Sequence, residues 1–205
     1  MNVRSINSKN ENFFAYREIA KIHKKCLAKS FLATLGEKFL ALLYKTLVEY
    51  KRGILLVVED NGKIIGFVSA TADTGGFYKY FLKKKFIKAG FLLLPKANNL
   101  NILRKIFETL RYSKKNKINI LLPKAELLSI AVKEDYQRKG VAQQVFKALA
   151  KEFYKNGINE FKIVVGDSLL GAKKFYRKMG CIKVGEFELH RGERSEIYIF
   201  KIKQY

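Results

Sequence analysis

Acidic side chains are scarce in this sequence: 18 Asp and Glu stand against 41 Lys and Arg over 205 residues, a net charge of +23. Proline and cysteine occur only twice each. No run of about 18 uncharged apolar residues exists, which argues against a helical membrane span. The first 25 residues carry no long apolar segment ending in small residues, so the expectation is a cytoplasmic protein without a secretory signal. Cys26 and Cys181 cannot by themselves make a disulfide framework or a metal cluster, so both read as buried thiols and no metal is expected. His23 sits among lysines and His190 near a closing turn, with no carboxylate or serine at a telling spacing, so both read as solvated. With 48% hydrophobic residues the chain can bury a core, and one domain over residues 1–205 is expected.

What is present is unevenly placed. Residues 77 to 117 hold 12 basic groups and one acid, nearly half of the whole excess in a fifth of the chain. Lysine makes up 32 of the 41 cations, and lysines spread over a surface need no acidic partner, so no nucleic-acid partner is expected. The segment reads "FYKYFLKKKFIKAGFLLLPKANNLNILRKIFETLRYSKKNK", aromatics and leucines among lysines, which predicts two helices broken near Pro95. It reads equally as a packed helical pair with snorkelling lysines or as a basic surface that docks on an anionic membrane.

Elsewhere periodicity assigns the elements. "AYREIAKIHKKCLA" places Ile19, Ile22, Cys26 and Leu27 at helical spacing, and "LGEKFLALLYKTLVEY" does so with Phe39, Leu42, Leu43 and Leu47, so two helices open the fold. Two β-rich runs in "GILLVVEDNGKIIGFVSATA" flank Asn61-Gly62, a strong hairpin signal. Then follow a strand over 126–133, a helix over 140–155, a strand over 160–166, a helix over 169–179 and the closing strand pair "IKVGEFEL" and "SEIYIFKI". The sum is an α/β domain of the α+β kind, a mixed sheet with helices and a helical insert ahead of the fourth strand.

The stretch "SIAVKEDYQRKGVAQQVFKALAKEF" leads from an apolar strand into an amphipathic helix through Gly140, flanked by Arg138 and Lys139. A helix start offers unpaired N–H groups and the positive end of the dipole, and a glycine there lets the backbone approach an anion, so this is a seat for phosphate. Neither a P-loop ending nor a GxGxxG fingerprint is present. Gln137-Arg138-Lys139-Gly140-Val141-Ala142 resembles the Q/RxxGxG/A motif of the GNAT superfamily of N-acetyltransferases, and "AKKFYRKMGC" is similar to that family's closing helix. The resemblance covers residues 126–185 well and 53–72 moderately. It implies a mostly antiparallel twisted sheet, with acetyl-CoA as cosubstrate lying between the fourth and fifth strands. The pantetheine arm would bond to Ile130, Ala131 and Val132, and the diphosphate would rest on amides of the run Gln137, Arg138, Lys139, Gly140, Val141, Ala142 and Gln143. Where many relatives carry an asparagine this chain has Leu169, and Ser168 is the replacement candidate.

Acetylation of an amine needs a proton acceptor and a proton donor for the leaving thiolate. The resemblance makes Tyr176 the acid; Glu126, which begins an apolar strand 14 residues before Gly140, is the candidate base and Asp167 the fallback. Residues 28–40, including Phe31 and Glu37, and the basic insert are expected to shape the acceptor. A cationic insert repels polyamines and welcomes anions, which points to a small primary amine bearing negative charge, such as a nucleotide-linked amino sugar. The chain length and "FLATLGEKFLALLYK" loosely resemble GNAT proteins associated with bacterial surface-polysaccharide synthesis. Two alternatives stay open: a protein N-terminal or lysine acetyltransferase, and a basic peripheral membrane or nucleic-acid-binding adaptor with a vestigial coenzyme A site. Monomer and homodimer are equally compatible with the sequence.

Overall fold

The computed structural model describes residues 1–7, 12–96, 98–112 and 121–203, so Ala97 and residues 113–117 of the expected insert lie outside the described residues. In chain order the elements are β1 (Asn2–Ser5), α1 (Phe13–Cys26), a single turn α2 (Phe31–Thr34), α3 (Glu37–Glu49), β2 (Gly53–Asp60) and β3 (Lys63–Thr71). They continue with α4 (Thr74–Leu93), α5 (Leu100–Tyr112), β4 (Glu126–Val132), α6 (Val141–Lys155), β5 (Glu160–Gly166), α7 (Leu170–Lys178), β6 (Ile182–His190) and β7 (Glu193–Lys201). The seven strands form one sheet ordered β1-β2-β3-β4-β5-β7-β6, antiparallel except where β4 meets β5. The mixed, mostly antiparallel sheet flanked by helices is therefore as expected. A short strand precedes the two opening helices, where the sequence reading began with helix; at four residues β1 is too brief to show an alternation, and pairing with β2 defines it.

Alternation along β2 divides the core. Leu56 and Val58 face a layer built on Val145, Phe146, Leu149 and Phe153 of α6, while Leu55 and Val57 face Tyr16, Ile19, Leu40 and Tyr44 of α1 and α3. The hairpin joining β2 to β3 turns at Asn61 and Gly62, with φ of 49° and 71°, the left-handed pair that a two-residue turn of this kind requires. A third cluster ties Phe39 and Leu42 of α3 to Phe81 and Ala89 of α4 and to Ile102 and Ile106 of α5, so the insert is packed onto the body. Helix starts are capped where the sequence supplies a side chain: Asn12 Oδ1 accepts from Phe14 N at 3.0 Å and Asp73 Oδ1 from Gly76 N at 2.9 Å. Among the described residues no helix is long and apolar enough to cross a membrane.

Candidate functional site

β4 and β5 run parallel but pair only at Glu126↔Lys162 and Leu127↔Ile163. Beyond these rungs the strands diverge. One cause is visible in β4, where Leu127 and Ser129 face the adjacent residues Ala70 and Ser69 of β3, leaving Leu128 as an extra residue. Such a bulge increases local twist and turns the strand from its neighbour. Ile130, Ala131 and Val132 keep their ladder with Val68, Phe67 and Gly66 on the β3 side and have no β5 partner on the other. A cleft of about 1540 Å³ opens there, lined by these three residues, by Val164 to Ser168, and by the start of α6.

The turn into α6 is unlike the capped starts of α1 and α4. Arg138 and Gly140 both take left-handed conformations, φ 60° and 79°, and Gly140 occupies the cap position without a side-chain acceptor. The first helical bond runs from Gln144 N to Gly140 O at 3.0 Å, so the amides of Val141, Ala142 and Gln143 have no acceptor among the described residues. Uncapped amides at the positive end of a 15-residue helix, bordering a cleft, make an anion-binding concavity. Gln137, Arg138, Gly140, Val141, Ala142 and Gln143 line it; the Lys139 side chain instead lies over the Tyr136 ring at 5.6 Å.

Tyr176 of α7 and Glu126 of β4 line the same cleft. Tyr176 is buried against Phe146, Phe175 and Tyr198, and burial, with a smaller contribution from Cys181, raises its phenol pKa above the ordinary value. It stays protonated at neutral pH, which suits a proton donor. Glu126 is not the surface charge that a strand end often carries: it is 5% exposed, accepts from Thr74 Oγ1 at 2.9 Å and lies 3.3 Å from Lys162 Nζ. Asp167 is exposed and bound by Lys173, which also donates to Glu196 at 3.1 Å. Glu196, its carboxyl held down at about 2 by the Tyr198 hydroxyl and then by Lys183 and Lys173, anchors α7 to β7 and so fixes the Tyr176 backbone. Ser168 lies exposed at the cleft edge, in the turn closed by Leu169 N to Gly166 O at 3.0 Å.

Past the wedge the cleft is walled by rings and aliphatic side chains from α2, α3, α4 and α5, among them Phe31, Phe39, Tyr78, Phe81 and Ile106. Glu37 is not part of this wall; it pairs with Lys24 at 3.3 Å. Among the described residues three carboxylates line the cleft, and each is met by a lysine: Glu126 by Lys162, Asp167 by Lys173 and Glu193 by Lys105.

A sequence model described as the acetyltransferase (GNAT) family matches residues 16–181. The chain belongs to the GNAT family. As a GNAT N-acetyltransferase it takes acetyl-CoA as its cosubstrate. Solved structures agree on the fold. The ribosomal-protein-S18-alanine N-acetyltransferase of Escherichia coli superposes with a TM-score of 0.59 at 16% identity, covering 100% of this chain and 95% of that one. An aminoglycoside 6'-N-acetyltransferase complexed with coenzyme A gives 0.60 at 11% identity, covering 100% and 99%. A protein named SsHAT gives 0.73 at 14% identity, covering 99% and 98%. Among curated proteins, none matches the chain significantly in sequence.

The uncapped amides at the start of α6 and the unpaired strand edge at Ile130 to Val132 border one cleft. Among the described residues no cluster of metal-ligating side chains occurs. Two expectations are corrected here. Both histidines of this GNAT chain are buried and line the cleft. His23 falls on the inward face of α1 with Tyr16, Ile19 and Ala20, the lysines around it taking the outer faces; Nδ1 meets Tyr44 Oη at 2.5 Å and Nε2 meets Ser30 Oγ at 3.1 Å. Burial lowers its pKa to about 4, so the ring is neutral. His190 Nδ1 lies 3.0 Å from Glu108 Oε2 on α5, with Phe31 edge-on at 5.0 Å; burial lowers its pKa, partly opposed by Glu108. Tyr44 and Glu108 lie 21 and 82 residues away, beyond any local spacing signal, while Ser30 stands seven residues from His23. Cys181 is buried as expected, but Cys26 is half-exposed at the last turn of α1 and lines the cleft.

Proposed function

We propose that this enzyme acetylates the primary amine of a small, ring-containing acceptor that also carries negative charge, such as a nucleotide-linked amino sugar. One observation carries this reading: a cleft walled by aromatic rings in which each carboxylate among the described residues is already met by a lysine. Rings stack on the apolar faces of sugars and bases. A polyamine or basic peptide tail finds no uncompensated acid there, whereas Lys29 and Arg194, exposed on the cleft and without an acidic partner among the described residues, suit a phosphate. The lysines of the insert contribute less than its composition implied, because Lys83, Lys84 and Lys88 line a separate outer groove. The acceptors named for structural neighbours, a ribosomal-protein alanine and an aminoglycoside, show that the fold alone selects neither class.

Acetyl-CoA supplies the acyl group as a thioester. In this reading the α6 amides and Arg138 hold its diphosphate, the free edge at Ile130 to Val132 aligns the arm, and Ser168 adds a hydroxyl at the β5 side. Glu126, oriented by Thr74 and Lys162, accepts the proton released as the amine forms its amide bond. Tyr176 gives its proton to the departing sulfur, and burial keeps that proton in place until then. The test is a thiol-release screen with acetyl-CoA against amino-sugar nucleotides, free amino sugars, polyamines and peptides. Turnover of peptide N-termini or polyamines with none for any amino sugar would replace this acceptor by the protein-directed alternative.

A further inference from the structure

α4 is apolar on more than one face. Phe77, Phe81 and Ala89 are buried, and Leu92 and Leu93 pack with α3 and α5, as the helical period of a body-facing stripe requires. A second stripe points outward: Phe86 is 70% exposed, Ile87 74% and Phe91 68%, and Leu94 continues it at 60% just beyond the helix. A helix apolar all round belongs in a core or against lipid, and no described residue covers this outer stripe. Lys83, Lys84 and Lys88 alternate with the stripe and together they line one shallow groove.

The charge on this face is of one sign. Residues 74 to 96 contain six lysines and no acid. Lys85 is engaged by Glu49 at 2.8 Å and Lys96 by the Thr34 carbonyl, whereas Lys83, Lys84 and Lys88 have no acidic partner among the described residues. A second copy of a chain with net charge +23 would bring like charge against like, and a nucleic acid would have no use for exposed Ile87 and Leu94. A surface carrying phosphate over hydrocarbon satisfies both features.

We propose that the outer face of α4, from Lys83 to Leu94, docks this enzyme on an anionic lipid bilayer. Phe86, Ile87 and Phe91 enter the headgroup boundary and the three lysines bind lipid phosphates around them. Phe86 also lines the catalytic cleft, so the docked face is continuous with the acceptor side. Docking therefore brings the cleft mouth to the lipid surface. This inference is independent of which amine is acetylated.

The test is sedimentation of the full chain with phosphatidylcholine vesicles, with and without phosphatidylglycerol, at physiological ionic strength. The protein is expected to pellet only with the anionic vesicles. Each lysine adds about fivefold to the partition, so Lys83→Glu with Lys84→Glu and Lys88→Glu lowers it at least about 100-fold. Ile87→Ser with Phe91→Ser, two residues that do not line the cleft, lowers it about tenfold or more while acetyl-CoA affinity, read by calorimetry, stays unchanged. Three outcomes overturn the proposal. The parent stays in the supernatant with anionic vesicles; the serine variant binds as well as the parent, which reduces the effect to adhesion by net charge; or the parent is a dimer that the serine variant dissolves, without vesicle binding, which makes a second copy the occupant.

Discussion

The two halves of the cleft are built from different material. The half beside β4, β5 and α6 offers main chain: a strand edge and three amides that no described residue pairs. The half beneath α2, α4 and α5 offers side chains: a ring wall and two buried histidines. Main-chain recognition tolerates a change of side chain and fails when atoms are added, whereas side-chain recognition fails when atoms are removed. The contrast teaches that a common donor can be gripped by the invariant chemistry of the backbone while the acceptor is selected by what varies.

Substitutions can break this contrast. Gly140→Glu should have the largest effect, weakening coenzyme A binding at least about 100-fold, since it sets a carboxylate at the anion seat and a Cβ at φ +79°. Normal affinity by calorimetry would remove the diphosphate from that turn. Tyr176→Phe should lower kcat about 100-fold with the KM for acetyl-CoA unchanged; an unaltered kcat would retire Tyr176 as the acid. Glu126→Gln should cost about tenfold in kcat/KM near neutral pH, the deficit shrinking as pH rises and the amine loses its proton unaided. A constant ratio to the parent across pH would reject Glu126 as the base.

Acid should loosen the side-chain half. An unfolded chain takes a proton on His23 as pH falls through its ordinary 6.5, while the folded chain does so only near 4. The stabilising contribution is thus complete above pH 6.5 and is lost on acidification toward 4, amounting to about 1 kcal/mol between about pH 7.5 and 5.5. His23→Asn should flatten that slope in denaturant titrations. Smallest of all, Arg138→Ala should weaken coenzyme A by no more than about fivefold, because an exposed charge adds little where amides do the holding; a loss as large as that of Gly140→Glu would show that side chains dominate there too.

Legibility followed the same division. The elements from β4 to α7 were readable to within a residue or so because strand and helix periods are local, and the Asn61-Gly62 turn because its left-handed pair is chemically specified. Glu126, Tyr176 and the α6 turn were named from motif and spacing, and the structure brings them to one cleft. The histidines were misread because burial is decided by partners far along the chain, Tyr44 for His23 and Glu108 for His190. The direction of the insert's lysines was equally hidden: composition counts charge, and only packing of Phe81 and Ala89 against α3 determines which side of α4 turns outward.

The two rungs between β4 and β5 leave the sheet as two blades spliced at a short seam. A molecule lying along the unpaired edge would complete that splice as a removable eighth member, sharing the load that hydrogen bonds carry elsewhere. Heat resistance of the enzyme would then track the supply of its own donor, rising when coenzyme A is plentiful and falling when the pool is drained.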